Sequence, residues 1–382
     1  MTQISDLERR ADRAAAAGDL ATARRALEEA VAGGQAGLEL WAKLSALRRA
    51  QGDLQGAVAA IERGLALSPL DFSSLLARAM LLEKLGDKRS GEAFSRAIAQ
   101  LPAGGEVPHH MAAAVEHAKR RAADHRAAQE KRLLDALPAG LDERHRSRLA
   151  RFASNSAHRT RHFHQEPTTF HFPGLPEIEF HDPDQFPGLA EIERETDAIR
   201  AEYEALLKVK TAELVPYTQY PDHVPLAQWR ELNNNPDWTA IHLLQNGKQV
   251  EANAGQCPKT MELLAKLPQP DIPGAAPNAM FSLLAPRTRI PSHTGVANVR
   301  LVAHLPLIVP PGCGFRVGES IREWRVGEAF VFDDTIEHEA WNDSDDLRVV
   351  LIFDLWAPAL DEADREGIAR VIGAAGVSFK GA

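Results

Sequence analysis

The tripeptides Gly18-Asp19-Leu20, Gly52-Asp53-Leu54 and Gly86-Asp87-Lys88 stand 34 residues apart, twice over. A fixed period of this size marks stacked helix-turn-helix units, in which each Gly closes one helix in a left-handed turn and the next helix starts just beyond it. The clearest unit covers residues 38–69, with Trp41 and Leu44 on its first helix, Gly52 at the turn, Ala57 and Ile61 on its second helix, and Pro69 at its end. A plain bundle of Ala-rich amphipathic helices shares the composition but not the period. In the third unit Pro102 follows Gly86 by 16 residues, where Pro69 follows Gly52 by 17, and Gly91 stands in place of Ala57. Residues 108–136 predict a further long helix, or a capping pair, that shields the last repeat.

This pattern resembles the tetratricopeptide repeat. The resemblance implies a solenoid whose concave face takes a peptide or partner protein, without naming that ligand. At 382 residues the chain exceeds one ordinary domain. We expect a helical repeat domain over 1–136, a linker over 137–160 and a second domain over 161–382.

The second half is written differently. HFHQEPTTFHFPGLPEIEFHDPDQFPG, from residue 162, is too rich in Pro and Gly for a long helix. Its His162, His164, His171 and His181 lack a repeated ligand spacing and read as surface or packing residues. An amphipathic helix is expected over 190–208. From residue 279, MFSLLAP, NVRLVAHLPLIV, FRVG, REWRVG, EAFVFDD, EHEAW and RVVLIFDLW read as short strands broken by turns, which predicts an antiparallel sandwich or barrel. Residues 210–275, with LNNNPDWTAIHLLQNGKQV, are expected to add early strands and a substrate-facing loop.

A net charge of -9 argues against nucleic acid or an anionic membrane surface as a partner, because either needs a clustered basic face. Cys257 and Cys313 are the only cysteines, too few for a disulfide framework, which points to a reducing compartment. The first residues carry Asp6, Glu8 and Asp12 and no apolar core, unlike a secretory leader. No apolar run approaches the roughly 20 residues that span a bilayer. A cytoplasmic setting is the expectation.

PSHTG, residues 291–295, and FDDTIEHEAW place His293 and His338 45 residues apart. Two neutral imidazoles on facing strands of a small barrel hold Fe(II) and leave positions open for a cosubstrate and O2. Two ordinary buried histidines fit the same spacing. Iron oxygenases normally add a carboxylate two residues after the first histidine, and here that position is Gly295. Arg348 heads a strand of buried character, where its guanidinium needs an anion. A dicarboxylate such as 2-oxoglutarate offers one to the planar fork, with Ser282 as a second donor. Alternation puts Arg300, Val302 and His304 on one face of their strand, with His304 reaching the metal-proximal carboxylate. Asp333, Glu337 and Glu339 read as surface or turn residues, and Asp343, Asp345 and Asp346 as a solvated turn. Arg287, Arg289 and Arg322 are either mouth residues for an acidic substrate or exposed loop charges.

Residues 279–360 resemble the catalytic core of the aspartyl/asparaginyl β-hydroxylase family, 2-oxoglutarate-dependent Fe(II) oxygenases with a double-stranded β-helix. The resemblance rests on PSHTG, RLVAHL, FDDTIEHEAW and Arg348 ahead of a strand ending DLW. It extends faintly back to about residue 160, and the joined repeat and oxygenase arrangement is familiar in that family. The expected fold is therefore multidomain α plus β: a helical solenoid, then a jelly-roll, cupin-like barrel with flanking helices. The resemblance implies that His293 and His338 bind iron, that Ser282 and Arg348 hold the distal carboxylate of 2-oxoglutarate, and that His304 assists its oxalyl end. It also implies that Asp334 acts through water beside the metal, and that Gly295 belongs, since the family is similar in lacking a third protein ligand. The family pattern has Arg where this chain has Val302; Arg300, about 7 Å further along the same face, is the candidate to compensate. The implied activity is hydroxylation of an Asp or Asn side chain in a peptide recruited by the repeats, with a small metabolite or a lipid-linked acyl chain still open. A scaffold with a degenerate, non-catalytic barrel is the reading from another class.

Overall fold

A computed structural model describes residues 3–34, 36–101, 107–209, 214–221, 223 and 225–376. The chain divides into two units, Met1–Arg161 and His162–Ala382.

The first unit is helical: α1 (Gln3–Ala16), α2 (Leu20–Ala32), α3 (Leu38–Ala50), α4 (Leu54–Leu67), α5 (Phe72–Lys84), α6 (Ser90–Ile98), α7 (Ala112–Asp135) and α8 (Glu143–Ser156). Each Gly-Asp pair does two jobs at its turn. Gly18, Gly52 and Gly86 sit at φ of +78°, +79° and +67°, a region that costs a side chain about 1–2 kcal/mol. Asp19 and Asp53 then accept the N–H of Thr22 and Gly56, which the first turn of the next helix leaves unpaired. In the third unit the Asp87 carboxylate takes the N–H of Arg89 instead, and α6 starts at Ser90. Small residues such as Ala57, Ala60, Ala79, Ala93 and Ala97 are buried where the helices meet. Pro102 lies outside the described residues. The expected linker over 137–160 carries α8: Asp142 caps it through the N–H of His145, and Ser154 donates to Glu130 of α7 at 2.5 Å. Its Arg-rich sequence hid the helix among polar residues.

Among its described residues the second unit holds twelve strands: β1 (Phe180–His181), β2 (Val215–Pro216), β3 (Trp238–Gln245), β4 (Lys248–Gln249), β5 (Ala279–Leu284), β6 (Thr288–His293), β7 (Arg300–Ile308), β8 (Cys313–Val317), β9 (Ser320–Arg322), β10 (Phe330–Phe332), β11 (His338–Asn342) and β12 (Arg348–Trp356). The larger sheet runs β1-β10-β7-β12-β5-β3-β2, with β4 on β3, and the smaller runs β6-β11-β8-β9. Every pairing of these strands is antiparallel. From β5 onward the chain alternates between the sheets, apart from the β8–β9 hairpin within the smaller one, which is the jelly-roll, cupin-like winding of a double-stranded β-helix.

Alternation sorts the larger sheet into two faces. Val349, Leu351, Phe353 and Leu355 of β12 face a core shared with helices α9 (Leu189–Arg194), α10 (Thr196–Leu206), α12 (Pro258–Leu264) and α13 (Glu362–Ala375). A short helix, α11 (Glu251–Ala254), follows β4. The opposite face turns Val350 toward Phe315 and Ala340 of the smaller sheet. The helix expected over 190–208 is two helices that part at Glu195, where Thr196 donates its hydroxyl to the Glu193 carbonyl at 2.6 Å. REWRVG is not a strand; β9 ends at Arg322 and the chain turns through Gly327 at φ +81°. Residues 214–275 supply β2, β3 and β4 as expected strands, while 210–213, 222 and 224 lie outside the described residues. Among the described residues no helix is long and apolar enough to cross a membrane.

Candidate functional site

His293 ends β6 and His338 opens β11, directly opposite in register, with ring centroids 4.0 Å apart. Each imidazole is oriented by the carbonyl two residues before it: His293 Nδ1 lies 2.8 Å from Pro291 O and His338 Nδ1 3.1 Å from Ile336 O. A carbonyl only accepts, so both protons sit on Nδ1 and both Nε2 atoms keep a lone pair. Burial pushes His293 down to about 4, and burial with the neighbouring His293 holds His338 well below the usual histidine range. Both rings are therefore neutral at pH 7, and a carbonyl-anchored neutral imidazole is how proteins present nitrogen to a metal.

The pair lines a cavity of about 280 Å³, whose wall also carries Ser282, His304 and Arg348. Arg348 is 1% exposed, and among the described residues no carboxylate pairs with it. Its guanidinium lies over the Trp324 ring at 4.8 Å, reaches only the Ser282 carbonyl at 3.5 Å, and leaves Nε without a partner. Burial pushes it down to about 10. The Ser282 hydroxyl accepts from Trp238 Nε1 at 3.2 Å and keeps its own proton to donate. His304 sits among Phe315, Trp324, Phe330 and Phe332; Trp324 Nε1, which can only donate, approaches its Nδ1 at 3.4 Å. Burial and Arg348 hold His304 neutral, so its proton is on Nε2. This wall thus offers three donors and no acid, a cradle for an anion.

Elsewhere on the cavity stands a buried ion triad. Arg300 meets Asp334 at 3.0 Å and Asp354 at 3.2 Å, and Asp354 also accepts the N–H and the side-chain amide of Asn278 at 2.8 and 2.9 Å. The expectation that Arg300 compensates for Val302 at the cosubstrate is corrected: two carboxylates on facing segments engage it. Asp334 Oδ1 is buried with no partner, and burial, opposed by Arg300, pushes this carboxyl up to about 7. Asp334 also explains Gly295. A Cβ at position 295 would overlap the Asp334 carboxylate, and the Gly295 N–H donates to the Asp334 carbonyl at 2.6 Å. The space of the usual third ligand is filled from the β10–β11 turn.

Other expected residues fall into place or out of it. Asp333 is not a surface residue; it is fully buried, taking the hydroxyl and N–H of Thr335 at 2.6 and 2.9 Å and the Gln165 amide at 2.5 Å. Glu337 and Glu339 flank Arg316 at 2.9 and 2.7 Å near the surface. Arg287 and Arg289 pair with Asp345 and Asp343 on the exposed turn, and Arg322 lies over Phe180 at 4.3 Å, so none of the three lines the cavity. Sequence reasoning missed Asp354, although an acid inside the apolar run RVVLIFDLW was a readable signal. It also missed Trp324 and the stacked pair Tyr217 and Trp238, 3.8 Å apart, which no local pattern announced.

Residues 193–358 match the family model for aspartyl/asparaginyl beta-hydroxylase. Among curated proteins, the ornithine lipid ester-linked acyl 2-hydroxylase of Rhizobium tropici is 36% identical over 176 residues, 45% of this chain and 58% of that protein. The human aspartyl/asparaginyl beta-hydroxylase is 34% identical over 145 residues, 37% of this chain and 19% of that protein. Human aspartate beta-hydroxylase domain-containing protein 2 is 31% identical over 210 residues, 53% of this chain and 54% of that protein. The chain thus spans less than two thirds of each relative. A predicted oxalate decarboxylase from Thermotoga maritima aligns at a TM-score of 0.21 and 13% identity, covering 31% of this chain and 80% of that one. The family match thus falls on the strands that carry the histidine pair, and residues 193–358 are similar to the aspartyl/asparaginyl β-hydroxylase family.

Proposed function

We propose that this protein is an Fe(II)- and 2-oxoglutarate-dependent dioxygenase that hydroxylates an unactivated carbon. The observation that carries the reading is Arg348: a buried guanidinium without an acid, on the same cavity as two imidazoles whose Nε2 lone pairs are free. His293 and His338 would hold the iron, and Arg348 with Ser282 the distal carboxylate of 2-oxoglutarate, while the Nε2–H of His304 meets its other end. When bound, iron, 2-oxoglutarate and O2 would together supply the oxidising power: 2-oxoglutarate is oxidatively decarboxylated to succinate and CO2, one atom of O2 entering the succinate carboxylate and the other the substrate C–H bond. The chain's own work is placement. Asp334 Oδ1, buried without a partner, would accept a hydrogen bond from a group bound near the histidine pair, Arg300 holds that carboxylate still, and the rings of Trp229 and Phe332 pack 4.9 and 5.3 Å from His293 and His338.

For the substrate, we propose the β-carbon of Asp or Asn in a peptide, the residues named by the human relative, with the N-terminal repeats recruiting it. A lipid-linked acyl chain, as in the name of the Rhizobium relative, is the second reading. It is favoured by Met280, Ile290, Val302 and Ile352 on the cavity wall and by the engagement of Arg300 with two acids. A cytoplasmic setting goes with both, since Cys257 and Cys313 are free, buried thiols.

The test supplies purified protein with Fe(II), ascorbate and 2-oxoglutarate and follows succinate. Wild type should form it, and His338→Ala should not. Added peptide or acyl ester that raises the rate names the substrate class. If wild type neither binds nor consumes 2-oxoglutarate, the barrel is a scaffold and the enzyme reading fails.

A further inference from the structure

We propose a second metal site, apart from the barrel histidines, in which His162, His164 and Glu177 bind a divalent ion of the zinc type. The observations are geometric. His162 Nδ1 and His164 Nε2 stand 3.3 Å apart, with the rings edge to face at a centroid separation of 4.3 Å. Two nitrogens each about 2.0–2.1 Å from a tetrahedral zinc lie about 3.3–3.4 Å from each other, so the pair already spans one edge of that coordination shell. Glu177 brings the charge and lies against the other nitrogen of each ring, 3.1 Å from His164 Nδ1 and 3.6 Å from His162 Nε2, so the rings must turn slightly for all three to share one ion. One ligand atom from each of the three residues lies within 4.8 Å of the other two.

The cluster is braced, not merely adjacent. The main-chain N–H of Gln165 donates to Glu177 Oε1 at 3.0 Å, which orients the carboxylate before any ion arrives. Gln165 is itself buried, donating its amide to Asp333 at 2.5 Å and accepting from Asn298 at 2.9 Å. Phe163, between the two histidines, lies under the Arg316 guanidinium at 5.8 Å. The backbone that displays the imidazoles is therefore anchored at Phe163 and Gln165. His162 and His164 are 55% and 67% exposed, so an ion enters from solvent and keeps water in its remaining position. Two imidazoles and one carboxylate suit zinc, nickel or copper over magnesium or calcium. The carbonyl-anchored pair His293 and His338 shares none of these residues.

The experiment uses the full chain without an affinity tag, stripped of metal and titrated with zinc sulfate by calorimetry and with cobalt chloride by visible absorption. The His293→Ala/His338→Ala protein should retain one zinc equivalent and show the intense visible bands of tetrahedral cobalt. Adding His162→Ala and His164→Ala should remove both signals. Glu177→Gln in the otherwise wild-type chain, a change at a half-exposed position, should weaken the same equivalent at least tenfold while the barrel equivalent stays. The proposal is overturned if the protein lacking the barrel histidines binds no zinc, or binds it equally well after His162 and His164 are replaced.

Discussion

Replacing Arg348 with Met separates what this residue costs the fold from what it does for a ligand. Burial takes the guanidinium from 12.5 to about 10. At about 1.4 kcal/mol per pH unit, the charged form carries a penalty of roughly 3 kcal/mol in the folded protein. Stacking over Trp324 returns about 1–2 kcal/mol of that. Met keeps a straight, apolar stem of similar reach and needs no anion. Arg348→Met should therefore raise the stability of the ligand-free protein by ~1–2 kcal/mol, an unusual sign for a fully buried residue. The assay is urea unfolding followed by tryptophan fluorescence, which reports mainly on the second unit because Trp229, Trp238, Trp324, Trp341 and Trp356 all lie there, with Trp41 alone in the first. Wild type with Mn(II) and 2-oxoglutarate at 100 times its dissociation constant should gain about 2.7 kcal/mol. The variant should gain nothing from 2-oxoglutarate. A variant that is less stable than wild type, and still stabilised by 2-oxoglutarate, would refute the orphan-cation argument on both counts.

Gly295→Asp restores the carboxylate that other iron oxygenases carry, yet it should lose Mn(II) affinity in a spin-resonance titration and about 1–3 kcal/mol of stability, because Asp334 fills the space. Asp334→Asn should change the pH dependence of unfolding. The folded carboxyl, pushed up to about 7, holds a proton that the unfolded chain releases near 3.8, so its contribution to stability falls by at most ~4 kcal/mol as pH rises through that window. His293, pushed down to about 4, works with the opposite sign, losing stability as pH falls from 6.5. The variant should therefore show an uncancelled rise in stability from pH 4 to 7, and curves parallel to wild type would sink the assignment. In the first unit, Gly52→Ala at φ +79° should cost about 1–2 kcal/mol in a helical circular-dichroism melt, whereas Gly37→Ala, at φ -79°, should cost far less.

What could be read from the chain was what local rules decide. The turn at Gly52-Asp53 needs only a left-handed residue and a capping carboxylate, and both are visible in two letters. His293, His338, Ser282, His304 and Arg348 were legible through the motifs PSHTG, FDDTIEHEAW and RLVAHL and the final strand, which resemble the family's, and the structure brings all five onto one cavity. Partners that come from opposite walls of a barrel were not legible. Arg300 and Asp334 are 34 residues apart, and nothing local shows that Arg300 also faces Asp354, so its reading as a cosubstrate contact failed. Asp333 and Asp334 are adjacent and alternate faces, yet both are buried, because Gln165 and Thr335 satisfy the first and Arg300 the second. Strand β6 was overlooked for a related reason: its burial is mixed, with exposed Arg289 beside buried Ile290, and Pro291 interrupts its pattern.

The failed expectation about Arg300 clarifies the cavity's electrostatics. Val302 lies opposite Asp354 across β7 and β12, so an uncharged side chain stands where a second guanidinium would have met that acid. One cation therefore serves two carboxylates, and burial first, with the neighbouring Asp333 and Asp354 charges second, pushes Asp334 up to about 7 against the pull of Arg300. On the same cavity Arg348, Ser282 and His304 present donors without any acid. On the proposed function, a dicarboxylate entering this space would be drawn to Arg348 and away from the carboxylate of Asp354. On that reading the two sets together would orient such a molecule toward the histidine pair, using charges that the barrel has already buried.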